Sequence, residues 1–284
     1  MTPAPSSITR TRIITNVGIY GGLTLAAIVM MLPMFWMLST AFKVFRDTFL
    51  IPPLWIPGYL NFSNFVHVFQ VVPFANMMLN SIKVATLATL GQVISCTMGG
   101  YAIARMRFFG KNIIFLVILA TMMVPYQVVM IPIFIIMKQL GWVNSHNALI
   151  FPAFLGGAFG IFLIRQFFMT LPNELEDAAK VDGANPWQIF TKIILPISKP
   201  AIIALATLSF TTYWNDLLTP LIYLNKMEIM TMPVGISFFK GMHTTEWNLL
   251  MAAALLNILP AALIFLFTQK YLVKGISLSS GIKG

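Results

Sequence analysis

Only 9% of the 284 residues are charged and just eight are acidic, against 58% hydrophobic. A soluble domain carries about 25% charged residues, so an ordinary water-exposed surface is excluded and lipid is the expected solvent. The single cysteine, Cys96, excludes an internal disulfide. Cys96 and the isolated His67, His146 and His243 offer no metal-ligand spacing. Neither a His-Glu-x-x-His pattern nor a pair of intramembrane acids is present, which leaves an intramembrane protease without support. A Gly-x-x-x-x-Gly-Lys-Ser/Thr phosphate loop is absent as well, so nucleotide binding of that kind is not expected here. The net charge of +10 is no nucleic-acid footprint, because Lys and Arg lie scattered between long uncharged stretches rather than clustered on one face.

Those uncharged stretches are what the chain has in quantity. A helix needs about 20 mostly apolar residues to cross the hydrocarbon core, where an unpaired backbone group costs several kcal/mol. Six stretches qualify: 14–42, 74–104, 112–137, 147–164, 200–224 and 248–272. The expected fold is therefore all-α and polytopic, with a short arm over 1–13, a transmembrane domain over 14–272 and a tail over 273–284. The first run exceeds signal-peptide length and reads as a retained anchor.

Cytoplasmic connections retain Lys and Arg. Twelve of these residues, from Arg10 and Arg12 through Arg105, Arg107, Lys180 and Lys192 to Lys283, fall on one side, and five fall on the other. Lys83 sits at a helix end. This places both termini and the connection between spans four and five in the cytoplasm. The outer segment 43–73, rich in proline and aromatics, reads as an ordered interfacial excursion; segment 225–247 either meets an outer partner or closes the bundle. Gly18 with Gly22, and Gly156 with Gly160, have the small-xxx-small spacing that lets helices approach closely. Packing within the chain is the favoured reading of both.

The connection at about 171–199 is the most specific feature. Asn173 is placed to cap a helix with Glu176 reaching back in a capping box, Glu174 and Asp177 favour its N-terminal end, and Gly183 is a left-handed stop. A second helix starts at Asn185–Pro186, runs through Trp187, Phe190 and Ile194, and is expected to end at Pro196. Ala178 and Ala179 form a small, exposed bend suited to insertion into a groove. From the residues alone, an amphipathic pair lying on the membrane surface fits equally well.

Asp177-Ala178-Ala179, three residues, Gly183, nine residues and then Ile193-x-Leu195-Pro196 resembles the EAA loop of bacterial ABC importer permeases. Asp182-Gly183-Ala184, Asn80-Ser81, Trp214-Asn215-Asp216 and the tail from Lys274 to Gly284 are similar to the carbohydrate-uptake branch, and to its six-span second permease of the maltose type. The resemblance implies that the loop is a coupling helix seated in a cleft of an ATP-hydrolysing subunit, with Glu176, Asp177, Ala178, Ala179, Asp182, Gly183 and Ala184 as the coupling residues. It also implies a homologous second permease, two ATP-binding subunits that carry ATP and Mg, and an extracytoplasmic solute-binding protein. No cofactor is expected on this chain. Asp177 stands where the family usually has Glu, which shortens the reach by one methylene.

Asp216 is the one acid inside an expected span, so it should face protein or water. With Trp214 and Asn215 it either lines a solute path or fixes helix packing by accepting hydrogen bonds. Asn80, Ser81, Thr211, Tyr213 and Asn257 are further path candidates. A stand-alone secondary transporter is the alternative class, but inverted repeats and several intramembrane ionisable groups, its sequence marks, are missing. Within the resembling branch, importers of polyols and glycerol phosphate share this pattern with sugar importers.

Overall fold

The computed structural model describes residues 6–241 and 245–280, with side chains described over 15–241 and 245–271. The side chains of Arg10 and Arg12, His243 and the end of the tail lie outside the described residues. Fourteen helices are described: α1 (Ser6–Ala41), α2 (Ser63–Val71), α3 (Phe74–Arg105), α4 (Lys111–Thr121), α5 (Tyr126–Gln139), α6 (Asn147–Ile150) and α7 (Ala158–Thr170). They continue as α8 (Glu174–Val181), α9 (Pro186–Ile189), α10 (Leu195–Ile197), α11 (Lys199–Trp214), α12 (Leu218–Tyr223), α13 (Met232–Ser237) and α14 (Trp247–Ser280).

Four stretches are long and apolar enough to cross a membrane alone: Thr15–Ala41, Phe74–Arg105, Asn147–Thr170 and Trp247–Tyr271. Two bent pairs, α4 with α5 at 101° and Pro186–Ile197 with α11 at 76°, bring the number to six when each is one span. The spans expected at 112–137 and 200–224 are thus not straight rods. The first breaks ahead of Pro125, and the second ends its long helix at Trp214 before α12 resumes. The fourth runs on to Thr170, six residues past its expected end.

The chain folds as two compact units. One comprises Met1–Val68 with Phe239–Leu256. Inside it, Asn64 donates from Nδ2 to the carbonyls of Ala41 (2.8 Å) and Lys43 (2.7 Å), closing the end of α1, and its Oδ1 accepts from Asn248 Nδ2 at 3.0 Å. The Lys43 ammonium lies 4.0 Å from the Trp36 ring centre, and burial holds its pKa below the usual lysine range, partly offset by Asp47. The segment after α1 is therefore an ordered aromatic excursion. A Cβ added at Gly18 or Gly22 would meet nothing within 4 Å. The close packing expected there is not made by described residues, because that part of α1 is exposed.

The other unit comprises Phe69–Phe238 with Asn257–Gly284. Its axis is α3, about 48 Å long at 1.5 Å per residue, against which α7, α11 and α13 pack. Glycine permits the approach. A Cβ on Gly100 would fall 2.8 Å from Ile164 Cγ2 and 3.2 Å from the Arg165 backbone nitrogen. On Gly160 it would fall 2.6 Å from Cys96 Sγ. Gly160 thus makes the expected intrachain packing, whereas Gly156, at φ 78°, forms the turn that interrupts the fourth span.

Near the N-terminal end of α3, Asn80 Nδ2 donates to the carbonyls of Glu228 (2.8 Å) and Met230 (3.0 Å), and Ser81 Oγ accepts from Met232 N at 2.8 Å. His146 Nε2 lies 2.7 Å from the Ile229 carbonyl. These contacts strap 228–232 to the bundle, so this part of segment 225–247 closes the unit. Burial holds the His146 pKa below its ordinary value, with the Ile229 carbonyl opposing and Lys83 assisting. A histidine buried neutral destabilises the fold as pH falls below its unfolded pKa of about 6.5. The protection factor of the Met232 amide should therefore fall between pH 7 and pH 5, and His146→Gln should remove that fall.

Candidate functional site

Two regions of the larger unit hold the residues singled out from the sequence. The first is the hairpin of α8 and α9. Gly183 takes φ 81° and stops α8, and Asn185 with Gln188 forms a reciprocal capping box at the start of α9. Helix continues through a wide turn at Phe190–Ile194 and past Pro196, contrary to expectation, ending at Ile197. The reason is local: Leu195 N–H reaches back to the Phe190 carbonyl. This widened register gives room to a proline ring that would clash in a normal α-turn.

The expected capping box at Asn173 is not made. Asn173 has no side-chain cap bond. Its Oδ1 instead accepts from Nη1 of Arg105, the last residue of α3, which lies 68 positions earlier. Nη2 of the same guanidinium donates to the carbonyls of Phe168 and Leu171. Its Nε lies 3.4 Å from Glu176 Oε1, an ion pair rather than a directed hydrogen bond, with both side chains nearly buried at 8% and 11% exposure. Removing one partner of such a buried pair costs about 3–5 kcal/mol.

Ala179 also departs from expectation. Rather than lying at an exposed bend it is buried, in a core shared with Tyr101, Ile164, Phe168, Phe190 and Ile194. Glu176 and Ala179 thus face the bundle, and Ala184 is half-buried. Asp177, Ala178, Asp182 and Gly183 are exposed, as are Leu175 and Val181, the latter at 89%. Lys180 pairs with Asp177 at 2.9 Å in solvent, worth at most about 1 kcal/mol. The hairpin therefore docks on the bundle at the C-terminal end of α3 and leaves an apolar edge of Leu175, Ala178 and Val181 uncovered. Neither Arg105 nor Val181 was legible as a site residue: the first acts at long range, and the second reads as ordinary helix filler.

The second region is a cleft of about 340 Å³ lined by Gln92, Tyr126, Tyr213, Asp216, Thr219 and Tyr223 among others. It shares Gln92 and Tyr213 with a groove of about 620 Å³ along the Thr207–Thr211–Thr212 side of α11. Tyr213 Oη donates to Gln92 Oε1 at 3.1 Å where the two meet. Asp216 Oδ1 accepts from Thr219 N at 3.1 Å, starting α12, so it serves packing while also lining the cleft.

Other candidates are placed differently. Trp214 is 1% exposed, stacks on Phe210 and donates Nε1–H to the Asn257 carbonyl at 2.9 Å, so its ring does not reach the cleft. Asn80 and Ser81 bond to the backbone of 228–232. Thr211 and Asn215 bond to their own helix, to the Thr207 and Thr211 carbonyls. Asn257 is half-buried on α14. Gln92 and Tyr126 are cleft residues that the sequence did not mark, since a lone polar residue in an apolar run gives no sign of which way it points.

A helical membrane chain with this hairpin has a counterpart among known proteins. Residues 91–278 match the family model of the binding-protein-dependent transport system inner membrane component. The chain belongs to this family. It is thus a permease, a membrane subunit of an importer of the ABC type. The AraQ permease of the arabinooligosaccharide transport system of Halalkalibacterium halodurans is 32% identical over 80% of this permease and 81% of its own length. The UgpE permease of the sn-glycerol-3-phosphate transport system of Pectobacterium atrosepticum is 35% identical, over 81% and 85%. A crystal structure of a bacterial ABC transporter involved in alginate import shares the fold, with a TM-score of 0.76 over 95% of this permease and 100% of that chain at 24% identity. A structure of the bacterial alginate transporter in complex with an alginate-bound periplasmic protein matches with a TM-score of 0.68 at 17% identity.

Proposed function

We propose that this permease forms half of a translocation path for a neutral sugar or oligosaccharide and couples it to separate ATP-hydrolysing subunits through α8. The observation that carries the coupling is the uncovered edge of Leu175, Ala178 and Val181 on a helix whose opposite side is fixed to the bundle. A soluble partner with an apolar groove fits that edge. The working complex comprises this chain, a homologous second permease, two ATP-binding subunits holding ATP and Mg, and an extracytoplasmic solute-binding protein. Both termini and the α8 hairpin face the cytoplasm, in keeping with the excess of Lys and Arg there. Nucleotide favours the arrangement in which the ATPases close and the two coupling helices approach, opening the path outward; hydrolysis returns it inward.

The solute class rests on the sugar-importing relative and on the chemistry of the cleft. Tyr126 and Tyr213 offer ring surface and hydroxyls, and Gln92 and Asp216 offer polar groups, but among the described residues no Lys or Arg lines the cleft. Such a wall suits a polyhydroxylated neutral solute, because a phosphorylated one brings negative charge to Asp216 with no cation to receive it. The glycerol-phosphate relatives favour that anionic solute as a second reading. Uptake into proteoliposomes holding the whole complex decides between them: arabinooligosaccharide-type solutes should be taken up and glycerol 3-phosphate should not, and the reverse result refutes the assignment. In the same assay Gln92→Leu, which removes the acceptor for Tyr213 and a polar group from both cavities, should slow uptake about tenfold, the loss of roughly one charged or well-formed hydrogen bond. Basal ATP hydrolysis should not change.

A further inference from the structure

We infer that Arg105 is the positioning residue that joins the coupling helix α8 to the inner end of α3, so that the two move as one lever. This rests on the coupling role proposed for α8. One guanidinium serves three elements. It ends α3, it donates to two carbonyls at the end of α7, those of Phe168 and Leu171, and it holds Asn173 and Glu176 at the start of α8. Carbonyls at a helix C-terminus have no intrahelical partners, and only a planar five-donor fork reaches all four acceptors together; lysine has no such geometry.

The consequence follows from what else α3 carries. Gln92 faces the cleft about 20 Å up the helix, and Asn80 and Ser81 hold the outer strap about 38 Å up, at 1.5 Å per residue. A displacement of α8 transmitted through Arg105 therefore reaches the solute path and the outer strap along one unbroken helix. Glu176 takes on a new role in this scheme. With its carboxylate turned inward onto Arg105, it works as an internal strut, while Ala178 and Val181 form the face offered to the motor.

The test uses the whole reconstituted complex, with uptake and ATP hydrolysis measured together. Arg105→Gln should still co-purify with the ATP-hydrolysing subunits and hydrolyse ATP, but solute taken up per ATP should fall about tenfold, within the range of coupling changes expected along a connecting network. Lower folded yield alone reduces both activities and leaves their ratio untouched. Glu176→Gln added to Arg105→Gln should bring little further loss, since both act in one contact set. An assembled Arg105→Gln complex with normal uptake per ATP overturns the inference. Retention of the ATPases by Ala178→Asp sinks the coupling role itself, so the two failures are distinguishable.

A second measurement decides the case even if Arg105→Gln does not assemble. Cys96 is wholly buried, so spin labels attach selectively at Met98→Cys on α3 and Lys180→Cys on α8, both exposed positions. Their separation should stay constant between the nucleotide-free and vanadate-trapped complex, while the distance from α8 to the partner permease's coupling helix shortens. A change within the chain as large as the change between permeases refutes a rigid lever.

Discussion

Ala178→Asp should strip the permease of its ATP-hydrolysing partners while leaving it folded in the membrane. The residue is exposed at the middle of the uncovered edge, where a surface substitution changes chain stability by at most about 0.5 kcal/mol. In the docked complex the same carboxylate is desolvated without a partner, which costs about 2–5 kcal/mol, or some thirtyfold to several thousandfold in affinity. Uptake should fall to background, and co-purification of the ATPase should fail at concentrations that saturate the wild type. Deleting residues 177–183 should abolish both as well, but it also takes Ala179 out of the core it shares with Tyr101 and Phe168, so the single substitution is the cleaner experiment. Normal co-purification with Ala178→Asp contradicts the docking role.

Gly100→Leu should lower the amount of folded permease more than any other single-residue change considered. Its Cβ alone falls 2.8 Å from Ile164 Cγ2 and 3.2 Å from a backbone nitrogen of α7. The backbone has no rotamer to yield, so the two helices must separate, and overpacking of this kind costs about 1–3 kcal/mol or more. The damage lands on the core that also holds Ala179 and Phe190, so the hairpin of α8 and α9 loosens with it. The neighbouring Gly99 is a control: its Cβ would lie 3.6 Å from the tip of Ile161, and Gly99→Ala should be tolerated. Thermal unfolding in detergent should separate the two variants by several degrees; equal behaviour contradicts the tight α3–α7 contact.

Much of the fold was legible because hydrophobic length is a one-dimensional signal. Span two was expected at 74–104 and is found as Phe74–Arg105, and both glycine and capping chemistry marked the hairpin at Gly183 and Asn185. Breaks inside spans were less visible. Composition does not distinguish a straight crossing from the 101° bend between α4 and α5, because both halves are apolar.

The site was legible in position and not in orientation. The spacing around Asp177 located the hairpin of α8 and α9, yet Asn173 and Glu176 satisfied a local capping pattern that Arg105 pre-empts from another element. Ala179 reads as an exposed small residue until Tyr101 and Phe168 are seen against it. Trp214 reads as a residue of the solute path until Asn257 and Phe210 are seen to bury it. Each departure comes from a partner remote in sequence, and no local pattern names such a partner.

Photocross-linking from position 181 of the assembled importer addresses the docking of α8 most directly, because Val181 projects almost fully from the hairpin. With a photoreactive residue there, the expected product joins this chain to the ATP-hydrolysing subunit, and its yield rises in the vanadate-trapped state. Adducts to phospholipid alone, from a complex that still hydrolyses ATP and imports solute, would contradict the motor contact.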